Sequence, residues 1–199
     1  MANRNSAGWG LIPVGCLGST PATGGQSKYY IEATYTVKMF QGTAVQSKVG
    51  YIKTAQAAIT KLSIGVLNGI FYNASTTLKP TWANWYNQPI TPANSEDLTA
   101  FVIDNPMQLF VGSLLTTAAQ AVYGYTVGLT VTAAGSEING QSSSTLTETT
   151  KSATANQWRL VRTAEDPENN QNAAYRSVIV AHNLNQYLQN TGTAGITWQ

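Results

Sequence analysis

The chain carries little charge. Lys, Arg, Asp and Glu make up 10% of its 199 residues, against about a quarter in an average globular protein. Its 11 basic residues are scattered and the formal net charge is +2. Because nucleic-acid binding needs several cations on one surface to displace counterions, the sequence predicts no direct nucleic-acid partner.

Cysteine is almost absent. The single Cys16 excludes a disulfide within one chain and is typical of folding in a reducing compartment. Long hydrophobic runs are absent as well, and the opening MANRNSAGWG lacks the charged and apolar regions of a signal peptide. We therefore expect synthesis in a cytoplasm and no membrane partner.

Motifs for catalysis are missing. The sequence has no Gly-x-Ser-x-Gly, no phosphate-binding Gly-Lys-Ser/Thr loop, no His-Glu-x-x-His and no cysteine pair for zinc. Its one histidine, His182, ends the apolar run VIVAH and is interpreted as a structural imidazole. We predict a non-enzyme with no cofactor and no metal; a hydrolase built around His182 is kept as a hypothesis.

One octet concentrates acidic residues. AEDPENNQ, residues 164–171, holds three of the chain's nine carboxylates. Asp-Pro favours the start of a turn, and the octet lacks the residue order of a calcium loop. We interpret it as a turn or interface loop with Asp166, Asn169 and Asn170 as contact residues; an ion site and a glycosidase-like carboxylate pair are the alternatives.

Strand-like patterns recur along the chain. Alternating or β-branched runs occupy residues 29–40, 45–52, 62–72, 98–104, 122–132, 158–163 and 177–181. Glycine, proline and asparagine separate them, which is typical of an all-β sandwich or barrel. We expect the first two runs to form a hairpin and MQLFVGSL to pair with 98–104 or lie beside it. Residues 114–122 are predicted as a short helix and 139–152 as a loop with one edge strand.

The first 28 residues differ from the rest. They are rich in small polar residues and glycine but include apolar side chains, which an unattached tail would leave exposed. We predict an extended N-terminal arm over residues 1–28 and one β-rich domain over 29–199. The arm lies either on a neighbouring subunit or on its own domain. Its predicted interface residues are Trp9, Leu11, Ile12 and Val14.

A second cluster is aromatic. Residues 79–92, KPTWANWYNQPITP, place Trp82, Trp85 and Tyr86 close together. Such side chains supply large contact areas with few rotors to immobilise. We interpret the three as core or interface residues, with a sugar-stacking platform as the alternative.

Several of these segments together resemble a known family. GVLNGIFYNASTTLKPTWANWY, DLTAFVIDNPMQLFVG and DPENNQNAAYRSVIVAHNLNQY follow, in order, the signature of tailed-bacteriophage capsid decoration proteins, also called cement or head-stabilisation proteins. Family positions match at residues 39–47, 65–72, 82–86, 100–106 and 166–170. A YTG-like turn of the family reads Phe40-Gln41-Gly42 here.

The resemblance, which covers residues 29–187, implies a viral structural protein of the bacteriophage virion. It implies a homotrimer, made in the host cytoplasm, that binds the major capsid protein on the outer capsid surface where capsomers meet. No catalytic residue comes with it. A carbohydrate-binding tail or fibre module is the alternative function.

Overall fold

The structure, a computed structural model, describes residues 7–18, 25–55, 62–87, 90–117, 120–130, 134–152 and 156–188. These residues form an all-β fold of two sheets, with two short 3-10 turns at Ala93–Ser95 and Gln120–Val122. The strands are β1 Leu11–Cys16, β2 Ser27–Ile31, β3 Ala44–Lys48, β4 Tyr51–Thr54, β5 Gly65–Asn73, β6 Pro80–Ala83, β7 Leu98–Ile103, β8 Gln108–Leu114, β9 Thr126–Thr130, β10 Thr145–Ser152, β11 Trp158–Thr163 and β12 Arg176–His182.

Sheet A is a five-stranded barrel with one added strand. β8, β10, β9, β11 and β12 pair in that order, and β12 returns to β8 to close the ring. β10 meets β8 in parallel at Leu146 and Leu114, and the other barrel pairs are antiparallel. β1 pairs with β8 along Leu11–Cys16, so the first strand of the described residues belongs to the same sheet as the last five of them.

Sheet B is built from the chain between β1 and β8. Its order is β2-β7-β5-β3-β4, with β6 on the C-terminal half of β5. All of its pairs are antiparallel. A bulge at Asn68 interrupts the β5–β7 register, and such bulges bend a strand and raise its twist.

The two sheets have adjoining cores. The barrel core packs Trp158 and Phe110 among aliphatic residues of β8 to β12, while the inner face of sheet B buries residues such as Ile70. Val66 and Ile103, on the opposite face of sheet B, belong to the barrel core. One end of the outer face of sheet B is therefore covered by the barrel.

The β3–β4 hairpin turns through two residues, Val49 and Gly50. Both have positive φ, 54° and 81°, which is the geometry of a type I′ turn. Glycine suits this backbone, whereas a β-branched residue is strained in it. Val49 is 75% exposed, so its side chain gains little contact in return.

The all-β class predicted from the sequence is confirmed, but several details were wrong. Residues 29–40 do not form one strand: β2 ends at Ile31, and the hairpin forms within 44–54. β8 joins the other sheet instead of pairing with β7, and β10 is a wall strand of the barrel. Within the described part of 114–122, the only helical turn is three residues long.

Part of the arm predicted over residues 1–28 is a strand of sheet A. β1 is a strand of sheet A with Leu11 in the barrel core, and the division at residue 28 falls inside β2. The segment thus packs on its own chain through residues 11–16, because backbone pairing with β8 and burial of Leu11 both favour that position. Residues 1–6 and 19–24 lie outside the described part.

Candidate functional site

The outer face of sheet B carries an exposed aromatic surface where the barrel no longer covers it. Strand alternation turns Tyr30, Phe71, Trp82 and Phe101 outward, since their neighbours Ile31, Ile70, Ala100 and Val102 are buried in the sheet B core. Tyr30, Phe71 and Trp82 are 53%, 38% and 50% exposed. We call these four residues the aromatic face.

Gly69, which has no side chain, leaves the space that the Trp82 indole occupies. In register, Phe71 lies opposite Trp82 and Gly69 opposite Phe101. The Trp82 indole extends over Gly69, so that a Cβ at this position would overlap the ring. Its centroid lies 5.0 Å from that of Phe101, with the two planes inclined by 48°. The two rings form one angled platform, and half of Trp82 remains open to solvent.

A chain of carboxamides borders this platform. Asn68, the bulge residue before Gly69, accepts a hydrogen bond from Gln41 Nε2 at 3.0 Å. Its own Nδ2 donates to Gln26 Oε1 at 2.7 Å. These bonds fix the orientation of both amide groups, and Gln26 is an exposed residue. Lys28, opposite Phe101 in register, adds one cation beside the rings.

A second exposed apolar surface lies on sheet A. Ile12 and Val14 of β1 are 42% and 49% exposed, and Ile12 lies opposite the half-buried Val111 of β8. Leu17 and Met107 continue this surface at one end, where Leu17 N donates to Met107 O at 2.9 Å. We call Ile12, Val14, Leu17 and Met107 the β1 face.

The outer edge of β1 is only partly available for pairing. Leu11 N donates to Gly42 O at 2.9 Å, and among the described residues no strand pairs with β1 on that side. Pro13 follows at the next position of the same edge, and because proline has no N–H it removes a donor there. Contacts made by side chains therefore suit this strand better than strand addition.

The predicted aromatic trio does not form one surface. Trp82 is on the aromatic face, whereas Trp85 stacks on the buried Phe40, with centroids 4.9 Å apart and planes 7° apart. Tyr86 is fully buried and donates from its hydroxyl to Tyr35 O at 2.6 Å. The three side chains lie in different surroundings and do not form the sugar-stacking platform that was the alternative interpretation of the sequence.

The four predicted arm residues also separate. Leu11 is 1% exposed in the barrel core, while Ile12 and Val14 alternate outward onto the β1 face. Trp9 is half-buried beside the contact between Gly10 and Ser144. Only Ile12 and Val14 among them present large side chains to solvent.

The acidic octet is a structured loop between β11 and β12. Asp166 Oδ1 accepts from Glu168 N at 3.0 Å, and Asp166 O accepts from Asn169 N at 2.9 Å. The Asn169 amide donates to Ala164 O and Ser177 O at 2.9 and 2.8 Å and accepts from Ser177 N at 3.0 Å. Asn169 thereby ties the two strands together, while Asp166 is exposed and Asn170 half-buried. The geometry is that of the predicted turn.

His182 lies inside the barrel. It packs at a tilt of 36° against Trp158, its register partner, with 4.2 Å between centroids, and its ring makes an edge contact with Phe110 at 5.6 Å. Part of the residue reaches the surface, but both ring nitrogens are buried without a hydrogen-bond partner among the described residues. Because the proton binds at those nitrogens, burial lowers the pKa of His182 to about 3. The imidazole is neutral at neutral pH.

Comparison with protein-family models, with curated proteins and with solved structures found no match. Among the described residues, no group of three or more His, Cys, Asp or Glu is placed to hold a metal ion. No helix in the same part of the chain is long and apolar enough to cross a membrane.

Sequence reasoning missed most of the aromatic face. Phe71 and Phe101 stand inside runs recognised as strands, and Tyr30 lies in a third. The signal was available, because successive side chains of a strand point to opposite faces, which places each of these aromatic residues opposite its buried aliphatic neighbour. Whether that opposite face is covered depends on the sheet topology, which the runs alone do not specify.

Proposed function

We propose that this chain is a virion structural protein that decorates the outer surface of a tailed-bacteriophage head. It acts as a homotrimer that binds the major capsid protein where capsomers meet and so stabilises the shell. This assignment rests on the sequence resemblance, together with one structural observation: the β1 face presents aliphatic side chains to solvent on the strand that is added to the closed barrel.

The β1 face is suited to a permanent contact. Clustered exposed aliphatic side chains mark interaction surfaces more often than isolated ones do. Ile12 and Val14 stand on a strand whose backbone is fixed by five register pairs with β8, so little ordering entropy is lost when a partner covers them. With few charges nearby, such a contact responds weakly to salt.

Many copies make a modest contact effective. A decoration protein bridges neighbouring subunits, and the apolar area that each copy buries adds to the free energy needed to separate them. A trimer engages three sites at once, which raises the overall affinity above that of one contact. No chemistry at His182 is needed for this role, and its neutral, ring-enclosed imidazole is accounted for by packing.

The test uses particles that lack this chain. Purified protein is added to them, and bound copies are counted after sedimentation and located by electron microscopy. We expect three-lobed density at capsomer junctions. We expect Ile12→Asp combined with Val14→Asp to abolish occupancy, because two carboxylates would then have to be desolvated in an apolar contact.

Ile138→Asp is the matched control. Ile138 is fully exposed on the turn 136–140 and is not part of the β1 face, so the same chemical change there should leave occupancy intact. Circular dichroism must show all variants folded. Full occupancy by the β1 variant would refute the assignment of the surface, and a wild-type chain that never sediments with particles would refute the function.

A further inference from the structure

We propose that the aromatic face, with its border of amide side chains, is a binding site for a neutral saccharide. The proposal goes beyond capsid decoration and concerns a different surface, so either can fail without the other. It commits to a pyranose ring that stacks on Trp82 and Phe101 and forms hydrogen bonds with the amide of Gln26.

The ring geometry favours a stacking ligand. Trp82 is fixed over Gly69 on one side and inclined against Phe101, while half of its surface stays in water. Exposing indole in this way gives up burial that a core position would provide. A pyranose suits the site because its axial C–H groups carry small positive charge and meet the negative face of the aromatic ring.

The polar border matches hydroxyl groups. Binding sites combine aromatic walls with a few oriented polar groups that determine specificity. Asn68 is held by Gln41 and in turn holds Gln26, so the carboxamide at the border is already oriented. Amides donate and accept hydrogen bonds without charge, which favours a neutral, hydroxyl-rich ligand.

The charge nearby decides against an acidic ligand. Of the residues that define the face and its border, only Lys28 is charged, and it is exposed beside Phe101. One exposed lysine contributes little against a screened anion. The aromatic rings and the amide side chains make up more of this surface than Lys28 does.

The experiment measures binding of the purified full chain to maltohexaose, cellohexaose and chitohexaose, with polygalacturonate as the charged probe. Calorimetry or nuclear magnetic resonance titration gives the dissociation constants. We expect at least one neutral hexasaccharide to bind in the millimolar range or more tightly. Trp82→Ala should weaken it by at least about tenfold, the loss that corresponds to one aromatic contact.

Two further variants test whether binding needs the position of the Trp82 ring as well as the presence of the side chain. Gly69→Ala keeps every aromatic side chain but displaces the Trp82 ring from its position over residue 69. It should therefore weaken binding as Trp82→Ala does. Tyr125→Ala is the control, since Tyr125 is 43% exposed but lies outside the face, and it should bind like the wild type. Thermal melts must show each variant folded.

Several results would overturn the proposal. These are no binding of the wild type to any neutral probe, undiminished binding by Trp82→Ala, or binding to polygalacturonate alone that Lys28→Gln abolishes. A change of oligomeric state in Trp82→Ala without saccharide binding by the wild type would identify the face as a contact between copies instead.

Discussion

The buried imidazole of His182 makes the stability of the fold depend on pH in a defined direction. Its ring packs against those of Trp158 and Phe110, which carry no charge, and both of its nitrogens are buried without a hydrogen-bond partner among the described residues. Burial lowers its pKa from 6.5 to about 3 in the folded chain. The unfolded chain keeps the higher value.

The sign follows from which state binds the proton. Above pH 6.5 both states are neutral at this position, and the fold has its full stability. As the pH falls from 6.5 towards 3, only the unfolded chain takes up the proton, so the free energy of unfolding drops by about 1.4 kcal/mol per pH unit. At pH 5 the expected loss from His182 is about 2 kcal/mol.

Urea unfolding followed by tryptophan fluorescence at pH 7.5 and pH 5 measures this loss. His182→Phe keeps a ring against Trp158 but cannot titrate, so it is the matched variant. We expect the wild type to lose about 2 kcal/mol more than His182→Phe between the two values. Comparison at pH 5 limits interference from carboxylates, which titrate mainly below it. Equal losses in both proteins would refute the reasoning.

Three further predictions concern packing and turns, each measured by urea unfolding at neutral pH. Asn169→Ala removes the amide that ties β11 to β12 and should lower the free energy of unfolding by about 2–3 kcal/mol. Asn172→Ala, at an exposed position, should lower it by less than about 0.5 kcal/mol. Similar losses in the two variants would contradict the role of Asn169. Tyr86→Phe leaves Tyr35 O without its hydroxyl donor, which should cost about 1–2 kcal/mol, and a neutral result would show that the bond is replaceable. Val49→Asn relieves a β-branched residue at positive φ and should stabilise by about 1 kcal/mol; destabilisation would show that the turn is not strained.

The sequence predicts those parts of the fold whose cause is local. Residues 62–72 form an apolar run broken by glycines and 98–104 a short apolar run, and they contain the strands β5 and β7 of the structure. The run from 29 to 40 alternates more regularly but leaves the sheet after Ile31. Tyr35 N donates to Glu32 O in a turn, and the Tyr35 hydroxyl bonds to Thr54. A tertiary contact therefore overrides the strand propensity there.

The parts that were not predicted depend on long-range pairing. β10 has the polar sequence TLTETTKS, which is typical of a loop, yet it forms part of the barrel wall between β8 and β9, where Leu146 enters the core. The aromatic face likewise arises only when β2, β5, β6 and β7 lie side by side. Residues far apart in sequence create both features, so local patterns did not reveal them.

The nesting of sheet B between β1 and β8 sets an order of assembly during synthesis. Every strand of sheet B lies within residues 27–103, so that sheet can pair as soon as this stretch leaves the ribosome. β1 must wait for β8, and the ring closes only when β12 has been made. At ordinary elongation rates the interval between β1 and β12 is on the order of 10 s. During that time the barrel core that buries Leu11 is incomplete, so this apolar side chain stays exposed on the growing chain, where it favours chaperone binding and aggregation.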